Sequence, residues 1–201
     1  MSTFGYAEDT RRLGNTQINL VLLSTYSYLC GARHDMAGTA NFLMMKTIDI
    51  TVPVVAMGYD ELDEAQRALV DKAREYTGHA YAPYSRFSVG AAIRLDNGVI
   101  VPGANQENAA YPSGTCAERS ACYWAHARYP EARFESIAIA SLGTDGREPE
   151  VPTAPCGACR QALLEYEKLA GHDVEVLLAG AGVIYRLPSV RSLLPLAFSE
   201  F

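Results

Sequence analysis

The chain has 201 residues, 49% of them hydrophobic and 20% charged, which suits one globular domain with a real core plus some excess chain. A formal net charge of −6 repels phosphate backbones, so a nucleic-acid polymer is a poor default partner. No stretch approaches the roughly 20 apolar residues of a membrane span. Five cysteines are an odd number, and three have metal-like spacing, which favours a reducing, cytoplasmic setting over a disulfide framework.

Residues 1–44 show no sustained helical or strand periodicity and read as an N-terminal extension that adds little to the fold. Within it, Ile18 to Leu29 after Arg11-Arg12 imitates a signal peptide, but Asn19, Ser24, Thr25 and Ser27 interrupt the apolar run. Residues 45–201 read as the domain. Thr47 to Ala56 alternates and is rich in Ile, Val and Thr, an extended segment or edge strand interrupted at Pro53. Asp60 to Gly78 is a predicted helix, capped by Asp60 and carrying Leu62, Ala65, Leu69, Ala73 and Tyr76 at helical spacing.

Phe87 to Leu95 and Val99 to Ala104 form a predicted hairpin around Asp96-Asn97-Gly98. A helix is expected from Cys116 to Arg128, a strand from Glu135 to Leu142, and a helix from Cys156 to Leu169. Strands Val174 to Ala179 and Val183 to Leu187 follow, then a short helix near Val190 to Leu194. This order implies an α/β fold, a mixed sheet of about five strands with helices packed on both faces. Both later helices start at one end of that sheet, where α/β proteins gather ligands.

Cys116-Ala117-Glu118-Arg119 and Pro155-Cys156-Gly157-Ala158-Cys159-Arg160 carry the chemistry. Cys156 and Cys159 are i and i+3 and share a helix face, and Cys116 adds a third thiolate from another helix start. Helix N-termini favour negative charge, so all three positions suit metal-binding thiolates. Zinc held by three protein ligands keeps its fourth position for water. Three thiolates leave the cluster with about one negative charge, which Arg119 or Arg160 could offset by donating to a sulfur. Glu118, two residues from a ligand, is placed to take and pass on the proton of that water. A closed, purely structural knot would need a fourth Cys or His nearby, and neither helix start supplies one. Cys122 reads as a small buried hydrophobe. The four histidines (His34, His79, His126, His172) have no mutual ligand spacing.

With those residues in view, the stretch from Asp60 to Phe198 resembles the small, single-domain, zinc-dependent cytidine deaminases. The Cys-x-Glu and Pro-Cys-x-x-Cys pair is a zinc-deaminase signature. Tyr81-Ala82-Pro83-Tyr84-Ser85-Arg86-Phe87-Ser88-Val89-Gly90-Ala91 is similar to the segment before that family's first hairpin. Asn105-Gln106-Glu107-Asn108-Ala109-Ala110-Tyr111-Pro112 is similar to its nucleoside-binding loop, and Leu194-Pro195-Leu196-Ala197-Phe198 to its C-terminal end. The first 44 residues have no counterpart in it.

The resemblance implies a cytidine-deaminase-like fold and one Zn²⁺ per subunit on Cys116, Cys156 and Cys159, with Glu118 as proton shuttle and Arg119 balancing charge. It places Asn105 and Glu107 on the sugar hydroxyls, Phe87 on the pyrimidine face, and Tyr111 at a neighbour's 5′-hydroxyl. Phe198 would close on the base from another subunit of a homotetramer whose active sites are shared across interfaces. The implied reaction is deamination of cytidine and 2′-deoxycytidine in pyrimidine salvage. Two other readings fit the residues: a deaminase of a modified or antibiotic cytosine nucleoside, and a zinc-binding protein without turnover.

Overall fold

The computed structural model describes residues 47–199, so the extension expected over residues 1–44, with Cys30 and His34, lies outside the described residues. Six strands, β1 (Val55–Met57), β2 (Ser88–Leu95), β3 (Ile100–Ala104), β4 (Phe134–Leu142), β5 (Glu175–Ala179) and β6 (Ile184–Leu187), form one sheet in the order β1-β6-β5-β4-β2-β3. Neighbours run antiparallel except β4 and β5, which are parallel. The mixed α/β sheet is therefore as expected in class but has one strand more. That strand is β1, which pairs Val55 with Arg186 at the sheet edge. It begins only after Pro53, which has no N–H to give a ladder, so the expected Thr47 to Ala56 segment contracts to three residues.

The helices are α1 (Glu64–Thr77), α2 (Ala117–Arg128) and α3 (Gly157–Ala170). The expected start of α1 at Asp60 moves by a turn. Tyr59–Glu61 forms a separate 3-10 turn, and Asp63 caps α1 by accepting the Gln66 N–H at 2.8 Å. Gln66 Oε1 accepts the Asp63 N–H at 3.1 Å in return. Asp60 has no glutamine or glutamate at the matching position, and this reciprocal pair decides between the two caps.

Strand alternation divides the core between two faces. Leu69, Val70 and Ala73 of α1 pack on Ala92, Ala138, Ala140, Leu177 and Ala179. On the other face, α2 and α3 pack Ala121, Cys122, Ala125, Leu163 and Leu164 against Ala91, Ile93, Ile137, Ile139, Val176 and Leu178. Helices thus cover both faces. Contact with α2 is close because both surfaces are small: a Cβ built on Gly103 of β3 would lie 2.5 Å from the Ala121 nitrogen and 2.7 Å from the Ala117 oxygen. The sheet backbone thereby sets the position of the helix that begins after Cys116.

The C-terminal turn, Val190–Leu193, is tied to α3 by a buried carboxylate. Glu167 accepts the N–H groups of Val174 (3.0 Å), Val190 (2.6 Å) and Arg191 (3.0 Å). Beyond that turn, Gln161 Nε2 donates to the Phe198 carbonyl at 2.9 Å and Lys168 Nζ to the Ser199 carbonyl. The tail thus runs along α3.

Candidate active site

Cys116 is the N-cap residue of α2, Cys156 is the N-cap residue of α3, and Cys159 lies in the first turn of α3. Neither cap residue bonds its own helix through its side chain, so the partly positive starts of both helices act on the sulfurs. Sγ of Cys156 lies 3.4 Å from that of Cys159 and 4.0 Å from that of Cys116, and all three sulfurs fall within 4.8 Å of one another. Tetrahedral zinc with Zn–S bonds of about 2.3 Å would set its sulfurs about 3.8 Å apart. The trio fits that ion with small adjustments. Among the described residues it is the one such grouping of Cys, His, Asp or Glu.

The thiols are not equivalent. Cys159 is fully buried, Cys116 half-buried and Cys156 exposed. The pKa of the Cys116 thiol is lowered to about 5, chiefly because Cys159 donates to it, with help from the Arg119 guanidinium. Cys159, the donor of that bond, is pushed up accordingly. Arg119 Nη2 lies 3.9 Å from Cys116 Sγ, and the same thiolate raises the arginine further. Its Nε is buried and has no hydrogen-bond partner among the described residues. Arg160, expected as an alternative donor to sulfur, instead donates to the carbonyls of Pro155 at 2.8 Å and Leu193 at 2.9 Å. It fastens the start of α3 to the C-terminal turn, and the charge facing the thiols comes from Arg119 alone of the two.

Glu118 sits in the first turn of α2 and is only 4% exposed. Burial raises its pKa, and the Cys116 thiolate beside it adds to that shift. A carboxyl whose proton affinity is raised in a dry position can both accept and return a proton. Cys122 packs in the core, its thiol pushed up to about 12 by burial. His79 stacks on Tyr76, His126 lies against Tyr166, and His172 lies 3.4 Å from Glu135, so none of the three joins the thiols.

The loops expected to hold a nucleoside are joined to the thiol site through the backbone. Gln106 exchanges two bonds of 2.9 Å with Thr115, the residue before Cys116. On its other side, the Tyr81 N–H donates to the Asn105 carbonyl at 2.9 Å and the Glu107 N–H to the Tyr81 carbonyl at 2.8 Å. Asn105 and Glu107 therefore stand between the Tyr81 loop and the start of α2.

Their side chains are already engaged. Asn105 Oδ1 accepts the Val89 N–H at 2.7 Å while its Nδ2 donates to the Phe87 carbonyl at 2.9 Å. Glu107 Oε2 accepts the N–H groups of Tyr84 at 2.9 Å and Ser85 at 3.2 Å. The Ser85 hydroxyl and those two N–H groups hold the Glu107 carboxyl below its usual range. Phe87 is half-buried. Tyr111 is exposed, its ring edge-on to Tyr84 at 6.2 Å between centroids, and Phe198 is 69% exposed. Sequence reading missed the bonds between the two loops, because residues 16 to 23 positions apart leave no periodic trace.

Residues 63–170 match the family model described as the cytidine and deoxycytidylate deaminase zinc-binding region. The chain is also 40% identical over 134 residues to a cytidine deaminase of Halalkalibacterium halodurans, covering 67% of this chain and 94% of that relative. The chain belongs to the cytidine deaminase family. A family member from Sporosarcina psychrophila is 38% identical over 129 residues, 64% of this chain and 85% of the relative. The crystal structure of cytidine deaminase from Burkholderia pseudomallei superposes with a TM-score of 0.56 at 38% identity, covering 68% of this chain and 100% of that one. The enzyme from Mycobacterium tuberculosis gives 0.53 at 32% identity, with 69% and 100% covered. This chain is accordingly an enzyme of the cytidine deaminase family, and the matched region contains all three thiols and Glu118.

Proposed function

We propose that the chain hydrolyses cytidine and 2′-deoxycytidine to uridine and 2′-deoxyuridine with release of ammonia, using one Zn²⁺ per subunit in a cytoplasmic salvage role. The observation that carries this reading is the buried Glu118 beside three convergent sulfurs at two helix starts. The cytidine deaminases it resembles support the substrate class. Among the described residues no helix is long and apolar enough to cross a membrane.

Zinc on Cys116, Cys156 and Cys159 would supply a Lewis acid that makes a water proton available at neutral pH. Glu118 accepts that proton as the water oxygen bonds to C4 of the base, and delivers it to N3. It then carries the second water proton to the 4-amino group. The C4–N bond breaks with its electron pair on nitrogen, leaving ammonia and a C4 carbonyl. Arg119 opposes the excess charge of three thiolates. Asn105 and Glu107 address the 3′ side of the sugar, which ribose and deoxyribose share, so both nucleosides are substrates. Phe87 covers the pyrimidine face. Purified protein loaded with zinc should release one ammonia per cytidine or deoxycytidine consumed; zinc-loaded protein that releases none from either contradicts the reading.

The same reading includes a homotetramer in which Tyr111 and Phe198 serve a neighbour's site. Support comes from their exposure in the single chain and from the way Gln161 and Lys168 hold the tail backbone on α3. Deleting Leu196 to Phe201 should raise KM while leaving zinc bound, since one aromatic contact is worth on the order of 1 kcal/mol beyond its buried area. Mixed with a Glu118→Gln chain, the deletion variant should regain activity, each chain supplying what the other lacks. Subunit exchange without any regain would show that each site is complete within one chain.

A further inference from the structure

The loop before β2 has a feature that its resemblance to a nucleoside site leaves unexplained. Among the described residues, Arg86 is the one non-glycine with positive φ, at 55°. That conformation is disfavoured for a side chain and persists only where neighbouring contacts enforce it. The contacts are on both sides of it. The Arg86 N–H donates to the Ala82 carbonyl at 3.0 Å, and the next N–H, that of Phe87, turns back onto Ser85 Oγ at 3.0 Å. The Phe87 carbonyl is held by Asn105, as described above, so both polar backbone groups of Phe87 are fixed by side chains. The N–H of Ser85 itself grips Glu107 Oε2 at 3.2 Å.

Ser85 thus touches two parts of the pocket with two different atoms. Its hydroxyl accepts from the residue assigned to the base and also faces the carboxylate assigned to the sugar, which its backbone N–H holds as well. A serine closing a turn onto the N–H two residues on is a common loop device. Here the turn bridges two of the proposed binding groups, Phe87 and Glu107. We propose that Ser85 is a positioning residue that couples recognition of the base by Phe87 to recognition of the 3′-hydroxyl by Glu107. The inference rests on the nucleoside-binding reading of those two residues.

Without the hydroxyl, the Phe87 N–H loses its acceptor, the left-handed turn at Arg86 relaxes, and the Tyr84 and Ser85 amides drift from Glu107. Ground-state binding then suffers more than the chemical step, because neither the thiols nor Glu118 takes part in the turn. A site that hydrogen-bonds a substrate hydroxyl discriminates strongly against the analogue lacking it. Loosening Glu107 therefore also erodes that discrimination.

The test is steady-state kinetics of zinc-loaded wild type, Ser85→Ala and Ser85→Thr on cytidine and on 3′-deoxycytidine. Ser85 is exposed, and thermal melting of each variant checks that the fold is kept. For Ser85→Ala we expect KM for cytidine to rise about tenfold with kcat within about threefold. The preference for cytidine over 3′-deoxycytidine should fall at least about fivefold, and threonine, which keeps the hydroxyl, should restore both. Equal loss on the two nucleosides, a change in kcat alone, an unaltered Ser85→Ala enzyme, or failure of threonine to rescue would each overturn the coupling. A wild type inactive on cytidine would instead overturn the nucleoside reading, and this inference with it.

Discussion

Glu118→Gln should keep its zinc and its fold and lose turnover, with kcat falling by about three orders of magnitude. Glutamine has nearly the shape of the carboxyl it replaces, and the position is 4% exposed, so packing on the sheet is preserved. The amide cannot accept a proton from water or hand one to N3 and then to the leaving nitrogen. General acid–base catalysis contributes about 10²–10⁴-fold, and in the proposed mechanism one group serves two transfers. KM should change little, because the residues proposed for sugar and base contact lie on other segments. Zinc analysis alongside kcat checks the outcome. A variant with stoichiometric zinc and kcat within about tenfold of wild type would remove Glu118 from the proton path.

The second large effect comes from a methyl group outside the site. Gly103→Ala should lower Tm by about 5–10 °C, as expected for an overpacking cost of about 2–3 kcal/mol in a domain of this size. The new Cβ would stand 2.5 Å and 2.7 Å from backbone atoms of Ala121 and Ala117, and a helix backbone cannot rotate out of the way as a side chain can. α2 must shift as a body, carrying Cys116 and Glu118 at its start away from Cys156 and Cys159 on α3. A displacement near 1 Å at reacting groups can cost about 10²-fold in rate, so kcat/KM should fall by about that factor even well below Tm. Thermal melting and kinetics at a low temperature separate the two effects. A Gly103→Ala variant with wild-type Tm and wild-type kcat/KM would mean that the sheet does not set the position of α2.

The thiol site was legible because its information is local. Cys156 and Cys159 sit one helical turn apart, Glu118 follows Cys116 by two residues, and both motifs open helices whose apolar spacing is plain. The sheet was legible through alternation in β2, β4 and β5, which separates Ala91 and Ile93 from Ala92. Errors arose where two local signals compete or where the deciding partner is remote. Asp60 and Asp63 can each cap a helix, and only Gln66 breaks the tie. Strand β1 is three residues long and defined by its partner β6 rather than by its own pattern. Arg119 and Arg160 look alike beside their cysteines, yet Arg160 is claimed by Leu193, a carbonyl 33 positions away. The grip of Asn105 on Phe87 and of the Tyr84–Ser85 amides on Glu107 depends on how two loops meet, which no single stretch of sequence records.

In the proposed reading, three sulfurs and one carboxylate make a zinc-dependent nucleoside deaminase. The most direct test of that reading is titration of zinc-depleted protein with Zn²⁺ while uridine formation from cytidine is followed. The expected result is activity that starts near zero, rises in proportion to added zinc, and breaks at a single zinc per chain. Full activity in protein shown to hold no zinc, or a full complement of zinc with no uridine formed, would contradict it.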